Sequence, residues 1–410
     1  MTIIDEPTGE YTEFKTFTDF GIFDGDQHIY EPWDCLDEHI EPAYAERTIH
    51  TAHDADGKLI VLADGKPFPM DNQPGRVTRP GSLKERLRKM KIAPHEEGAY
   101  QYMSIDPAFN QRDERIALLD KQNVATAVLF PGSIGLMSEY ALTDDDLYYA
   151  TSWAYLRWFD QYWGFNAGNR TLFAPVLSMR DPQRTGEQID WLIEHGCRMV
   201  TFCTGPAYGR SPGDTFFDPI WSRLNDGGVV VAYHINDGMR GFKAERSRAW
   251  GEEEFPTHMT QSAWQWAWAY GEQPAMETFS SMIYANLFER FPNLKILSAE
   301  HGAEWVPGFM RRIDKMRGMG RNGRWLNGQL KERPSEIFKR HFRVVPYWED
   351  DLMHVIEELN GLEVIIGGSD FPHSEGLAFP TQLVEHLRQL SPDEQRFVMR
   401  DNGMRLVGFE

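Results

Sequence analysis

Gly228-Val-Val-Val-Ala-Tyr-His234 is an unbroken apolar run that ends on an imidazole. Three consecutive valines favour extended backbone, and an apolar run bounded by glycine reads as a strand buried on both faces. It is far shorter than the ~20 residues that cross a bilayer. A helical stretch, Pro219–Leu224, precedes it, with Asp218-Pro219 pairing an N-cap acid with proline at the first helical position.

The same unit recurs in both directions. Candidate strands are Gly21–Asp26, Ala125–Phe130, Leu172–Leu177, Arg198–Phe202, Val229–Tyr233, Lys295–Ser298, Phe342–Val345 and Glu363–Gly367. Helical patterns lie between them at Arg112–Gln122, Asp144–Phe165, Pro182–Glu194, Pro219–Leu224, Met276–Arg290, Glu304–Arg317 and Glu349–Leu359. A last pair, Thr381–Leu390 and Pro392–Val407, ends the chain. Asp181-Pro182 repeats the helix-start signal, and Gly196, Gly227 and Gly361 stand where C-caps are expected. Alternating strands and helices imply parallel βαβ units, and eight of them predict an α/β fold of the (β/α)8 TIM-barrel type. A doubly wound sheet is the alternative, but no glycine-rich phosphate loop follows the first strand.

Two segments break the rhythm. Residues 31–111 hold a predicted hairpin with two Asp-Gly turns (57–67) and a basic, Pro/Gly-rich stretch that includes Lys84–Lys91. Residues 236–273 read as a Trp-rich loop with Trp250, Trp264, Trp266 and Trp268. Both are expected insertions after strands one and five, overhanging the face where barrel active sites form. The predicted organisation is an N-terminal extension over 1–20 and one barrel over 21–410.

Bulk composition narrows the function classes. With 42 Lys and Arg against 62 Asp and Glu, the formal charge is −20, which argues against nucleic acid or an anionic membrane as a partner. Neither a signal-peptide pattern nor a membrane span is read, and Cys35, Cys197 and Cys203 lack CxxC spacing. These features fit a reducing, cytoplasmic compartment.

Chemistry gathers at four strand ends. Strand one ends Asp24-Gly-Asp26-Gln-His28, and two-residue spacing sends Asp26 and His28 to the same face. Strand five ends in His234, strand six in Glu300-His301-Gly, and strand eight in Gly-Gly-Ser-Asp370-Phe-Pro-His373. Around one barrel rim these make a mixed N/O set suited to Zn²⁺ or Mn²⁺. Glu31 reads as structural, and Glu304 as an acid in the first turn of a helix.

The motifs DGDQHIYEP, VVAYH, SAEHGAEW and GSDFPHSEG together resemble the amidohydrolase-related branch that includes aminocarboxymuconate-semialdehyde decarboxylase and γ-resorcylate decarboxylase. The match runs in order from about Ile22 to the C-terminus. The resemblance implies one divalent metal on Asp26, His28, His234 and Asp370, with His301 and Asp370 as the catalytic groups and His373 and Glu304 as supports. Asp26 stands where better-known relatives carry His or Glu, which favours Mn²⁺ somewhat more than a three-His site would and leaves Asp26 either a ligand or a supporting group. Strand four carries no lysine to bridge a second ion, so a mononuclear site is expected. The implied substrate is a small aromatic or unsaturated carboxylic acid, processed through a metal-activated water or a metal-gripped carboxylate. Decarboxylation and hydrolysis of an amide, ester or C–C bond both remain open. Arg76, Arg79 and the insertion tryptophans are candidates to hold an anionic aromatic substrate, and a homodimer or higher homo-oligomer is expected. An inert barrel serving as a binding subunit is the contrasting reading.

Overall fold

The computed structural model describes residues 15–69, 76–85, 88, 102–235, 240–256, 260–269 and 271–409. Seven parallel strands form the frame: β1 (Ile22–His28), β2 (Val124–Phe130), β3 (Thr171–Phe173), β4 (Met199–Thr201), β5 (Val230–His234), β6 (Ile296–Ala299) and β7 (Phe342–Val344). They pair as β1-β2-β3, edged by an antiparallel strand Asn166–Ala167, and as β4-β5-β6-β7. Parallel bridges Val176↔Thr201 and Val344↔Ile365 continue the two sets at their edges. The segment 363–367 then returns to the start of the chain, where the Gly25 amide donates to the Gly367 carbonyl at 2.8 Å.

Alternation sorts the apolar residues. Val128 and Phe130, Leu172 and Ala174, Val230 and Ala232, and Leu297 and Ala299 join Phe23, Met199, Val345 and Ile366 in one buried cluster. Residues of opposite parity, including Val231, Tyr233 and Ile296, join the larger cluster shared with the helices. A strand wetted on neither face needs apolar side chains on both, which explains the unbroken valine run.

The helices between the strands include α1 (Arg112–Lys121), α2 (Asp145–Tyr162), α3 (Pro182–Glu194), α4 (Asp218–Gly227), α5 (Glu272–Tyr284), α6 (Trp305–Met319) and α7 (Leu352–Leu359). Asp181 caps α3 as expected, accepting the amides of Gln183 and Arg184. Asp218 is not an N-cap: Phe217 holds that place, and Asp218 sits inside the first turn with its carboxylate 3.3 Å from Arg290. Two C-caps shift by one residue, because Gly228 and Asn360 take the left-handed conformation in place of Gly227 and Gly361. No helix of the described residues is long and apolar enough to cross a membrane.

The hairpin in 31–111 forms as His50–His53, Leu59–Ala63 and Lys66–Pro67. Asp64 and Gly65 both have positive φ, the geometry of a tight hairpin turn. Most of Lys84–Lys91, and the Arg76 side chain, lie outside the described residues. The loop reading of 236–273 is corrected: helices Arg240–Ala249 and Ala263–Trp268 occupy much of it. Ser262 and Gln265 form a capping box on the second, while the first is so polar that apolar periodicity could not reveal it. Helices Ser133–Ala141 and Pro334–His341 also went unread. Cys35, Cys197 and Cys203 are free thiols, the first two buried.

Candidate active site

β1 begins the site. All seven of its residues are buried, and its carboxylates can tolerate this only if each is matched. Asp24 is matched by protein donors: the Ser369 amide (2.9 Å) and hydroxyl (2.6 Å), the Gln27 side-chain amide (2.8 Å) and the Asp26 amide (3.2 Å). Burial nevertheless pushes its carboxyl up to about 6. These bonds lace strand one to the eighth segment across the whole chain.

Asp26 is not matched: its Oδ1 is buried without any hydrogen-bond donor. Around that oxygen stand His28 Nε2 at 3.5 Å and His234 Nε2 at 3.6 Å, with 3.0 Å between the two ring nitrogens. Each ring is oriented by its other nitrogen, which faces a carbonyl: Pro131 at 3.2 Å for His28, Ile235 at 2.6 Å for His234. A carbonyl can only accept, so each Nδ1 carries the proton and each Nε2 presents a lone pair. Asp370 Oδ1 lies 3.4 Å from His28 Nε2, while His373 Nδ1 lies 2.7 Å from Asp370 Oδ1 and its ring packs on His28. Burial pushes His28 down to about 3, its neutral, ligating form, and burial with the nearby Asp26 charge holds Asp370 well above the usual carboxylate range.

The imidazoles of His28 and His234 and the carboxylates of Asp26 and Asp370 thus converge on one point, where the Asp26 and Glu300 carboxylates raise the His234 pKa against the effect of burial. That arrangement is costly without a cation and is the donor set a divalent metal takes. Asp26, His28 and His234 form one metal-capable group, and His28, Asp370 and His373 another.

The other anticipated residues fall unevenly. His301 is buried at the β6 tip with Nδ1 3.0 Å from the Ser298 hydroxyl, and burial lowers its pKa to about 3. Glu304 does not join the cluster: it is exposed at the start of α6, and its carboxylate accepts the Asp351 amide at 2.9 Å. Glu31 is structural, accepting from the Gly132 and Gly135 amides and the Tyr155 hydroxyl. Arg79 pairs with Glu85 at 2.5 Å and does not line the cavity.

Two residues to which the sequence reading gave no role stand in or behind the cluster. Glu300 reaches within 3.2 Å of His234 Nε2, because a φ of +53° turns the chain at the strand tip, and Tyr347 donates to its carbonyl at 2.6 Å. Arg115 is fully buried and binds the carbonyls of Ala108 (2.6 Å) and His28 (2.6 Å) and the Gln27 side chain (3.0 Å), bracing strand one from behind. A neighbouring carboxylate at a strand tip was the available signal for Glu300; nothing local marks Arg115.

A cavity of about 440 Å³ opens over the cluster, lined by Asp26, Glu300, Asp370 and the aromatic walls Trp266, Tyr347 and Trp348. Trp266 alone of the four tryptophans in 236–273 lines it; Trp250 and Trp264 pack on each other.

Residues 106–409 match the Amidohydro_2 family, described as amidohydrolase. A 136-residue segment is 29% identical to 2-amino-3-carboxymuconate-6-semialdehyde decarboxylase of Dictyostelium discoideum, spanning 32% of this chain and about a third (35%) of that protein. The structure superposes on an amidohydrolase from Mycobacterium avium subsp. paratuberculosis K-10 with a TM-score of 0.83 and 28% identity, covering 96% of this chain and 99% of that one. At 16% identity it shares its fold with 5-carboxyvanillate decarboxylase from Novosphingobium aromaticivorans DSM 12444 (TM-score 0.60, 97% and 99% coverage), a structure holding manganese and 4-hydroxy-3-methoxy-5-nitrobenzoic acid.

Proposed function

This chain belongs to the amidohydrolase family, and on that footing we propose that it is a mononuclear metal enzyme that removes CO₂ from a small aromatic or unsaturated carboxylic acid. The carrying observation is the unmatched Asp26 oxygen facing two imidazole lone pairs and Asp370 below an aromatic-walled cavity. Asp26, His28, His234 and Asp370 would hold one Mn²⁺ or Zn²⁺. Strand four ends Thr201-Phe202-Cys203, with no lysine to bridge a second ion. We further read the frame as a closed (β/α)8 barrel, supported by the strand links at both edges and the alternating inner cluster.

When bound, the metal supplies Lewis acidity toward a substrate carboxylate and a neighbouring oxygen. The remaining work falls to side chains. Trp266 and Tyr347 flank the substrate ring and exclude water. His301 is held by Ser298 at Nδ1. After taking up the proton that the incoming carboxylic acid gives up, it delivers a proton from Nε2 to the carbon as the bond to the carboxylate breaks and CO₂ departs, and the ring returns to its neutral form. Asp370 accepts or returns a proton at the cavity face.

Hydrolysis is the second reading, favoured by one observation: the solved structure that matches at 28% identity and a TM-score of 0.83 is named simply an amidohydrolase. The deciding experiment incubates the metal-loaded protein with hydroxybenzoates, dienoate ring-fission acids and amides. CO₂ release without ¹⁸O uptake from solvent supports decarboxylation. Solvent ¹⁸O in the product, with no CO₂, overturns it in favour of hydrolysis. No turnover together with no metal in the purified protein removes both.

A further inference from the structure

We propose that a second site, at the far end of α6 from the catalytic cluster, binds a compact polyanion of the phosphate or polycarboxylate class. The charge distribution is the starting point. Residues 310–334 carry eight Lys and Arg against two Asp and Glu, in a chain whose net charge is −20. α6 leaves the strand-six tip at Trp305 and ends at Met319, so its far end is about 22 Å from the catalytic tip.

There a cavity of about 480 Å³ is lined by Arg317, Arg321, Arg333, Trp325 and Asp314. Asp314, whose two oxygens accept from the Ser335 amide (2.9 Å) and hydroxyl (2.7 Å), offsets only one of the three guanidinium charges, so the lining stays net positive. The nearby bases that do have acidic partners are Arg311, on Glu358, and Lys331, on Glu289, while the second acid, Glu332, is held by Arg340. Among the described residues, no carboxylate lies within ion-pair distance of Arg317, Arg321 or Arg333, nor of Arg324 on the adjoining cavity that shares Trp325. Arg317 has a single bond, to the Leu330 carbonyl at 2.6 Å.

The second observation is independent of charge. The Trp325 indole N–H is buried and has no acceptor. Buried donors are almost always matched, and a ligand oxygen admitted beside this wall would match it. Forked guanidiniums around one cavity, with a spare N–H beside them, provide the donors that a compact anion with several oxygens requires. Like charges held together without partners repel, and such a ligand would relieve that repulsion.

The test titrates pyrophosphate and citrate, separately, into the metal-loaded protein at low ionic strength, by calorimetry and thermal shift. Saturable binding is expected for at least one anion, and the tighter of the two identifies the class. Arg321→Ala/Arg333→Ala, both exposed positions, should weaken it at least ~tenfold, as loss of two charge-assisted donors implies. Asp370→Asn, which disturbs only the catalytic cluster, should leave it unchanged, as should Arg311→Ala. Binding that survives the double arginine variant but vanishes in Asp370→Asn would place the anion at the metal and overturn the proposal. A stabilisation reproduced by sodium chloride at equal ionic strength, or no binding of either anion, would overturn it as well.

Discussion

Asp26 is the residue whose substitution separates a metal centre from a structural carboxylate most sharply. Its Oδ1 is buried and unmatched, with two imidazole acceptors 3.5 and 3.6 Å away. An unmatched buried acceptor costs about 1–3 kcal/mol. Asp26→Asn replaces a buried charge by a neutral amide whose two N–H groups can serve both lone pairs. The metal-free protein should therefore become more stable, by about that amount. An unfolding entropy of roughly 2.1 cal/mol/K per residue gives this chain about 0.9 kcal/mol/K, so Tm should rise by about 1–3 °C. The native protein should behave in the opposite sense toward metal. With free Mn²⁺ at a thousand times its Kd, linkage adds about 4 kcal/mol, or about 5 °C. Asp26→Asn should lose that increment. The assay is thermal unfolding at pH 8.5, where unpaired imidazoles are neutral, with chelator and with added Mn²⁺. A variant less stable than its parent in chelator, or one that keeps the full metal-dependent rise, would refute the argument.

Four further outcomes are expected. Arg115→Met leaves two carbonyls and the Gln27 side chain without their donor, so it should lower stability by about 3–5 kcal/mol in a denaturant titration. His301→Asn should reduce kcat by at least ~100-fold while the metal content measured by elemental analysis stays at the parent's level. Trp266→Ala, at a half-exposed cavity wall, should raise KM for an aromatic substrate with Tm moved by less than ~1 °C. His341 is buried and neutral, with Nδ1 on the Leu294 carbonyl and Nε2 accepting from Arg340, and burial holds its pKa at about 4. Its contribution is present above the unfolded value near 6.5 and lost as pH falls toward 4, about 3 kcal/mol in all, and His341→Gln should flatten that part of the stability profile.

What could be read in advance was whatever local chemistry controls. The valine run before His234 and the Asp181-Pro182 cap follow from strand burial and proline's fixed φ, so both stood where expected. Asp26, His28, His234 and Asp370 were legible because each stands at the end of a predicted strand, and the structure brings them together. Glu300 was hidden for a definite reason. Strand alternation assigns neighbours to opposite faces, and only its left-handed backbone brings Glu300 to His234 beside the buried His301. That conformation is imposed by tertiary contacts, and no feature of Ser-Ala-Glu-His announces it. Arg115 was hidden because a charged residue in a helical pattern reads as solvent-facing until its three acceptors are seen. The helix Arg240–Ala249 was hidden because six of its ten residues are polar or charged, leaving no apolar stripe to find.

The same left-handed backbone links the site to the stability of the whole. Glu300 and Asp370 both have φ of +53°, a conformation costing roughly 1–2 kcal/mol for a residue with a Cβ. Each is held from outside its own strand: Tyr347 donates to the Glu300 carbonyl, and the Asp370 amide donates to the Asp26 carbonyl at 2.7 Å. Asp24 adds its bonds to Ser369, 345 residues away in sequence. The first and last contributors to the cluster therefore position each other, and neither can be placed before the chain ends have met. A fragment ending before Ser369 would keep Asp26, His28 and His234 in sequence while losing the donors that fix strand one. Metal binding at native affinity should then depend on the Asp24–Ser369 link, and an Asp24→Ala variant, which keeps all four metal-facing side chains, that still bound metal as tightly would show that strand one is held by its own neighbours alone.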